Sequence, residues 1–152
     1  MEPRIIERAP FFVVGLQYHG RSTSGEIPQL WRQLAARIHE IASPSPATYG
    51  VVGDVDSESG ELDYLAGLQV DPAVPVPEGM SSWEIPGGLY AVVLCTLNTI
   101  APAFSQVYDV WLPNSEYERI DGPEFELYGP DYEPGNNDSP MYIYIPVARR
   151  AD

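Results

Sequence analysis

Residues 26–42, EIPQLWRQLAARIHEIA, constrain this chain most. Ile27, Leu30, Trp31, Leu34, Ala35, Ile38, Ile41 and Ala42 recur at helical spacing, while Glu26, Gln29, Arg32, Gln33, Arg37 and Glu40 take the other side. That is the pattern of a helix with one face laid on a core. Ser24 is the candidate cap and SPSP at 43–46 the stop. A striped helix needs something to cover, and the flanking runs supply it. PFFVVGLQYH (10–19) before the helix, and TYGVVGDV (48–55) and ELDYLAGLQV (61–70) after it, are rich in aromatic and β-branched residues; the polar DSESG between the last two marks a hairpin. The first half reads strand, helix, strand, strand.

The same order recurs. A Pro-rich connector, 71–81, leads through SSWEIP, a short strand, to GLYAVVLCTL (88–97), a longer one. In NTIAPAFSQVYDVWL, Ile100, Ala103, Phe104, Val107, Val110 and Trp111 mark one helical face. PNSEYERIDG reads as a connection, and PEFELYG (123–129) and MYIYIPV (141–147) as the last two strands. The expectation is one α+β domain over 1–152, its halves at about 3–70 and 82–148 each running βαββ. No residue-level repeat accompanies this, so the symmetry is one of element order.

At 152 residues such a chain can bury roughly two-thirds of its unfolded surface. Forty-four per cent hydrophobic residues, with ten Tyr, four Phe and three Trp, exclude a disordered composition. The formal charge of −14, from 8 basic and 22 acidic residues, argues against a surface that tracks phosphates and favours cationic partners. Cys95 is the single cysteine, so no intramolecular disulfide can form, and its apolar neighbours in LYAVVLCTL point to a buried, inert thiol. Neither a signal-like N-terminus nor an apolar run of membrane-spanning length is present; a soluble cytoplasmic protein without membrane contact is expected. His19 and His39 fall on different elements with no paired Cys or carboxylate spacing, so no metal is expected. No phosphate-loop, dinucleotide or nucleophile motif calls for a cofactor.

Chemistry concentrates in DGPEFELYGPDYE, 121–133. Asp121, Glu124, Asp131 and Glu133 stand beside Gly, Pro or a chain reversal and are expected in water. Alternation places Glu124, Glu126 and Tyr128 on one face of a strand and Phe125 and Leu127 on the other. In MYIYIPV it separates Met141, Ile143 and Ile145 from Tyr142 and Tyr144. If the aliphatic sides pair, Glu126, Tyr128, Tyr142 and Tyr144 share a polar-aromatic face, to which Tyr64, Tyr49 and Tyr90 can add from neighbouring strands. Such a density of Tyr suits planar aromatic ligands, since each ring is a flat apolar wall with a hydrogen-bonding tip. From the residues alone, Glu126 is either a wet carboxylate or a cavity acid. Trp31 and Trp111, on the apolar sides of their helices, read first as core.

The element order, together with YGVV, DYLAGL, VPEGM, IPGGLYAVV, WLPNSEYE, FELY and YIYIPV, resembles the GyrI-like effector-binding domain. That module senses ligands in AraC-type and MerR-type multidrug regulators and also occurs alone. The resemblance runs from about residue 3 to 148 and implies a tandem βαββ pair with pseudo-twofold symmetry: an antiparallel sheet, two main helices and a ligand cleft between the halves. It makes Glu126, in the Phe-Glu-x-Tyr pattern of 125–128, the pocket acid. Tyr128, Tyr64, Trp31, Trp111, Tyr49, Tyr90 and Tyr144 become candidate walls. No DNA-binding helix-turn-helix precedes the domain, so it resembles the stand-alone members and no direct nucleic-acid binding is expected. The implied function is binding of aromatic, cationic or amphipathic small molecules, as a stand-alone sensor or sequestering protein. Some stand-alone members resemble hydrolases of strained, cyclopropane-bearing electrophiles, which would make Glu126 a catalytic base. Others look like inhibitors of DNA gyrase, which would make a protein the partner.

Overall fold

In the computed structural model, which describes residues 2–151, the β-branched runs form one antiparallel sheet. The strands are β1 Arg4–Arg8, β2 Phe11–Gly20, β3 Thr48–Val55, β4 Leu62–Val70, β5 Ser81–Ile85, β6 Gly88–Cys95, β7 Tyr117–Arg119, β8 Glu124–Tyr128 and β9 Met141–Arg149. Their order is β1-β6-β9-β8-β3-β4-β2-β5, with β7 pairing the end of β9. Each half contributes three neighbours, β2-β4-β3 and β6-β9-β8, and the halves join where β3 meets β8. The short leading strands are exchanged: β1 precedes β2 but pairs β6, and β5 precedes β6 but pairs β2. This is the tandem βαββ arrangement with an approximate twofold between β3 and β8.

Two short strands have no counterpart in the sequence reading. Arg4–Arg8 has only five residues, and Tyr117–Arg119 lies in what reads as a connection; both are strands because β6 and β9 offer free edges to them.

The first helix, α1, is Glu26–Arg37, followed by a 3-10 turn at Ile38–Glu40. Leu30 and Leu34 face inwards on Tyr64, Ala66 and Leu68 of β4, as the periodicity requires. Ser24 is not its cap: Gly25 occupies that position in a left-handed conformation, and the Ser24 N–H instead donates to the Glu26 carboxylate at 2.8 Å.

The second helical segment departs from ideal phase. α2, Ile100–Ser105, passes through a π-helical stretch, Gln106–Trp111, into a last turn, α3, Leu112–Asn114. The Leu112 N–H donates to the Val107 carbonyl, five residues back. One extra residue in the turn rotates the helix beyond it, so Leu112 enters the core while Val110, expected inside, is 47% exposed.

Both helices cover the same face. A row of paired residues crosses six strands there: Val93, Ile143, Glu126, Gly50, Ala66 and Leu16. α1 lies over the Ala66 end and α2 over the Ile143 end. The opposite face carries a second, aromatic core in which Phe125, Tyr144, Tyr49 and Tyr90 pack around Val51 and Leu65. The central strands are therefore buried on both sides. Among the described residues no helix is long and apolar enough to cross a membrane.

Candidate functional site

Glu126 is the one charged residue in that row, at its middle, where β8 meets β3 between the two helices. Its Oε1 accepts from the Tyr128 hydroxyl at 2.8 Å and from the Tyr64 hydroxyl at 3.1 Å. The Trp31 indole N–H, reaching down from α1, donates to the Tyr64 oxygen at 3.0 Å, so a chain of hydrogen bonds runs from helix to carboxylate. The Trp31 ring meets Tyr128 edge-on at 5.4 Å, and Tyr132, from the loop after β8, meets Tyr128 at 4.7 Å. Trp31 touches the cores of both halves. It is the wall that bridges them.

Gly50 makes this geometry possible. It is paired directly with Glu126, and a Cβ there would stand 2.1 Å from the Tyr64 hydroxyl oxygen and 2.6 Å from Glu126 Oε1. Only a residue without a side chain lets phenol and carboxylate meet above the strand. The signal of this contact in the sequence is a Gly inside the strand run YGVV.

Burial raises the Glu126 carboxyl above its ordinary value, opposed by the two phenols that donate to it. Tyr64 is raised well above the usual phenol range by burial and by the neighbouring carboxylate, and Tyr128 is raised for the same reasons. None of the ion pairs among the described residues involves Glu126. Among the described residues its Oε2 accepts no hydrogen bond and no fully buried side-chain oxygen is left without a partner, so Oε2 keeps some contact with solvent. A carboxylate buried without a cation is unfavourable on its own; a hydrogen-bonding cation entering from the open side relieves it.

Of the expected walls, Tyr64, Tyr128 and Trp31 converge on Glu126; the others do not. Tyr144 pairs with Phe125 and stacks on it at 4.5 Å, on the opposite face of the sheet. The aliphatic side of β9 lies with Glu126 and Tyr128, reversing the pairing that would have put Tyr142 and Tyr144 beside the acid. Tyr49 and Tyr90 belong to the same opposite core: Tyr49 Oη accepts from Arg8 at 2.8 Å, and the Tyr90 hydroxyl donates to the Pro86 carbonyl at 2.6 Å. The Arg8 guanidinium sits 3.9 Å from the Phe11 ring centre and closes that cluster. Trp111 lies nearly parallel to Tyr117 at 6.0 Å, against β7.

Glu124, expected in water, is half-buried. The Tyr108 hydroxyl, from the π-helical stretch, and Arg119 Nε, at 3.3 Å, both donate to its Oε1. Burial pushes this carboxyl up to about 7. Arg119 Nε, in contact at 3.3 Å, favours the charged form and so opposes the burial. Cys95 is buried with its thiol pushed up to about 11 by burial, so it stays protonated near neutrality. Among the described residues no group of His, Cys, Asp or Glu is placed to hold a metal. An open basin of about 950 Å³, lined by Trp83, Gln17 and Asp63 among others, includes none of the residues around Glu126.

An antiparallel sheet thus carries two helices on one face, with a carboxylate between them beside Trp31, Tyr64 and Tyr128. The chain belongs to the GyrI-like family: the model of the GyrI-like small molecule binding domain matches residues 1–148. It is 36% identical to the transcriptional regulator BrlR of Pseudomonas aeruginosa over 97% of this chain and 56% of BrlR, so it spans a little over half of that relative. It is 30% identical to a DNA gyrase inhibitor of Erwinia billingiae over 73% of this chain and 74% of the inhibitor. Among solved structures, SAV2435 bound to tetraphenylphosphonium superposes with a TM-score of 0.72 over 97% of this chain and 94% of that one; at 16% identity the likeness is one of fold.

Proposed function

We propose that the cleft above Glu126 takes up aromatic or amphipathic small molecules bearing positive charge, and that the chain serves as a sensor or sequestering module for them. The state of Glu126 carries the reading: a carboxylate in an apolar row, held through one oxygen by two phenols, with the other oxygen in some contact with solvent and no cation beside it among the described residues. A cation against Trp31 and Tyr128 would gain about 0.5 to 2 kcal/mol per good ring contact. A charge-assisted hydrogen bond to Oε2 adds roughly 1.5 to 3 kcal/mol. After ordering costs these sums suit micromolar affinity, near −8 kcal/mol. The SAV2435 complex with an aromatic phosphonium supports the same ligand class here, and the relation to BrlR, a transcriptional regulator, supports a sensing role. The net charge of −14 argues against nucleic-acid contact by this chain's own surface.

Titration with tetraphenylphosphonium, followed by Trp fluorescence, tests the reading. Glu126→Gln should weaken binding by about tenfold or more; equal affinity in the two proteins would overturn it. Burial also makes Glu126 a stronger base, which favours a second reading, activation of water against a strained electrophile. Product formation that is lost in Glu126→Gln while binding persists would decide for that reading.

A further inference from the structure

We propose that the cleft reads its ligand at two points along β8: a cationic centre at Glu126 and a neutral hydrogen-bond donor at Glu124, about 7 Å further along the strand. The inference rests on the binding role argued above and specifies the ligand class of the same cleft.

Residues two apart on a strand share a face, so Glu124 stands beside Glu126 on the helix-covered side. Its row across the sheet, Tyr18, Tyr64, Val52 and Glu124, neighbours that of Glu126, and Tyr64 belongs to both by crossing over Gly50. Walls come from both helices: Trp31 from α1 stands at the Glu126 end. From the second helical segment, Phe104 and Tyr108 stack at 6.4 Å, with the Tyr108 hydroxyl on Glu124. The two carboxylates are held alike, each anchored through Oε1 by phenol and each with an Oε2 that accepts no hydrogen bond from the described residues and keeps some contact with solvent.

They differ in charge balance. Among the described residues Glu126 has no cationic neighbour, whereas Arg119 Nε lies 3.3 Å from Glu124 while its other nitrogens bond the Ile120 and Gly122 carbonyls. A second ligand cation at Glu124 would meet Arg119 and be repelled; a hydroxyl or amide N–H would find an acceptor and no repulsion. The cleft thus prefers a flat cation with a neutral donor at its far end over a dication of equal length.

Three probes separate the possibilities: N-methyl-4-phenylpyridinium, its para-hydroxy derivative and its para-aminomethyl derivative, a dication at neutral pH. The hydroxy compound should bind the wild-type protein about tenfold more tightly than the parent, a gain lost in Glu124→Leu. The dication should bind no better than the parent until Arg119→Met removes the competing charge, after which it should become the preferred ligand. Thermal unfolding establishes that both variants fold. Should Glu124→Leu fail to fold, the Arg119→Met switch in preference stands as the test. Absence of parent binding, or parent binding indifferent to Glu126→Gln, would refute the binding role itself. Parent binding that depends on Glu126, with no hydroxyl gain, or a gain that survives Glu124→Leu, or no switch in Arg119→Met, would refute the second point alone.

Discussion

Gly50→Ala is the smallest perturbation that reaches the centre of the site. The backbone accepts it, since Gly50 is not among the glycines with positive φ. The new Cβ, however, would stand 2.1 Å from the Tyr64 hydroxyl oxygen and 2.6 Å from Glu126 Oε1, so both groups must move apart. Their charge-assisted hydrogen bond is worth about 1.5 to 3 kcal/mol, and the Trp31–Tyr64 bond that moves with it a further ~0.5 to 1.5 kcal/mol. Ala restricts the unfolded chain and returns about 0.4 to 1 kcal/mol. The net expectation is a destabilisation of about 1 to 4 kcal/mol, read by urea unfolding at neutral pH. The decisive measurement is the double-mutant cycle with Tyr64→Phe, which removes the nearest clashing atom and both hydrogen bonds beforehand. In that background Gly50→Ala should cost less by about 1.5 to 3 kcal/mol, far outside additivity. Additive effects within about 0.5 kcal/mol would mean that the Tyr64–Glu126 contact is not held as described, and the account of the site would fall with it.

Because burial raises the Glu126 carboxyl, the folded state binds its proton more tightly than the unfolded chain does, so the group costs stability as pH rises from about 4.3 through its folded value. Glu126→Gln should therefore flatten the decline of stability with rising pH over that window in pH-dependent unfolding, and a parallel decline in both proteins would contradict the burial. Tyr144→Phe should leave tetraphenylphosphonium affinity within about twofold of wild type, and Tyr128→Phe should weaken it by roughly tenfold, since of these two only Tyr128 bonds Glu126. The π-helical register predicts that Val110→Lys changes stability by less than about 0.5 kcal/mol and that Leu112→Ala costs about 2 to 5 kcal/mol; the reverse order would restore the ideal helical phase.

Local chemistry was enough for the order of the main elements and for α1 with its buried Leu30 and Leu34, because periodicity, turn residues and strand propensity act within a few positions; it left Glu126 open between a wet carboxylate and a cavity acid, and the family resemblance made it the residue to watch. Only the tertiary structure decided which aromatic side chains accompany that acid. With both faces of β8 and β9 buried, alternation separates two faces without saying which one the helices cover, and the register of Phe125 against Tyr144 puts Tyr49, Tyr90 and Tyr144 on the far side. The strands at Arg4–Arg8 and Tyr117–Arg119 exist through partners more than twenty-five residues away, and the π-helical stretch that turns Val110 outward while Tyr108 bonds Glu124 obeys packing on the sheet rather than helix propensity. Burial of a carboxylate is likewise a property of its neighbours: Glu124 and Glu126 look equivalent in FELY and its flanks, and become different acids because Arg119 reaches one of them and not the other.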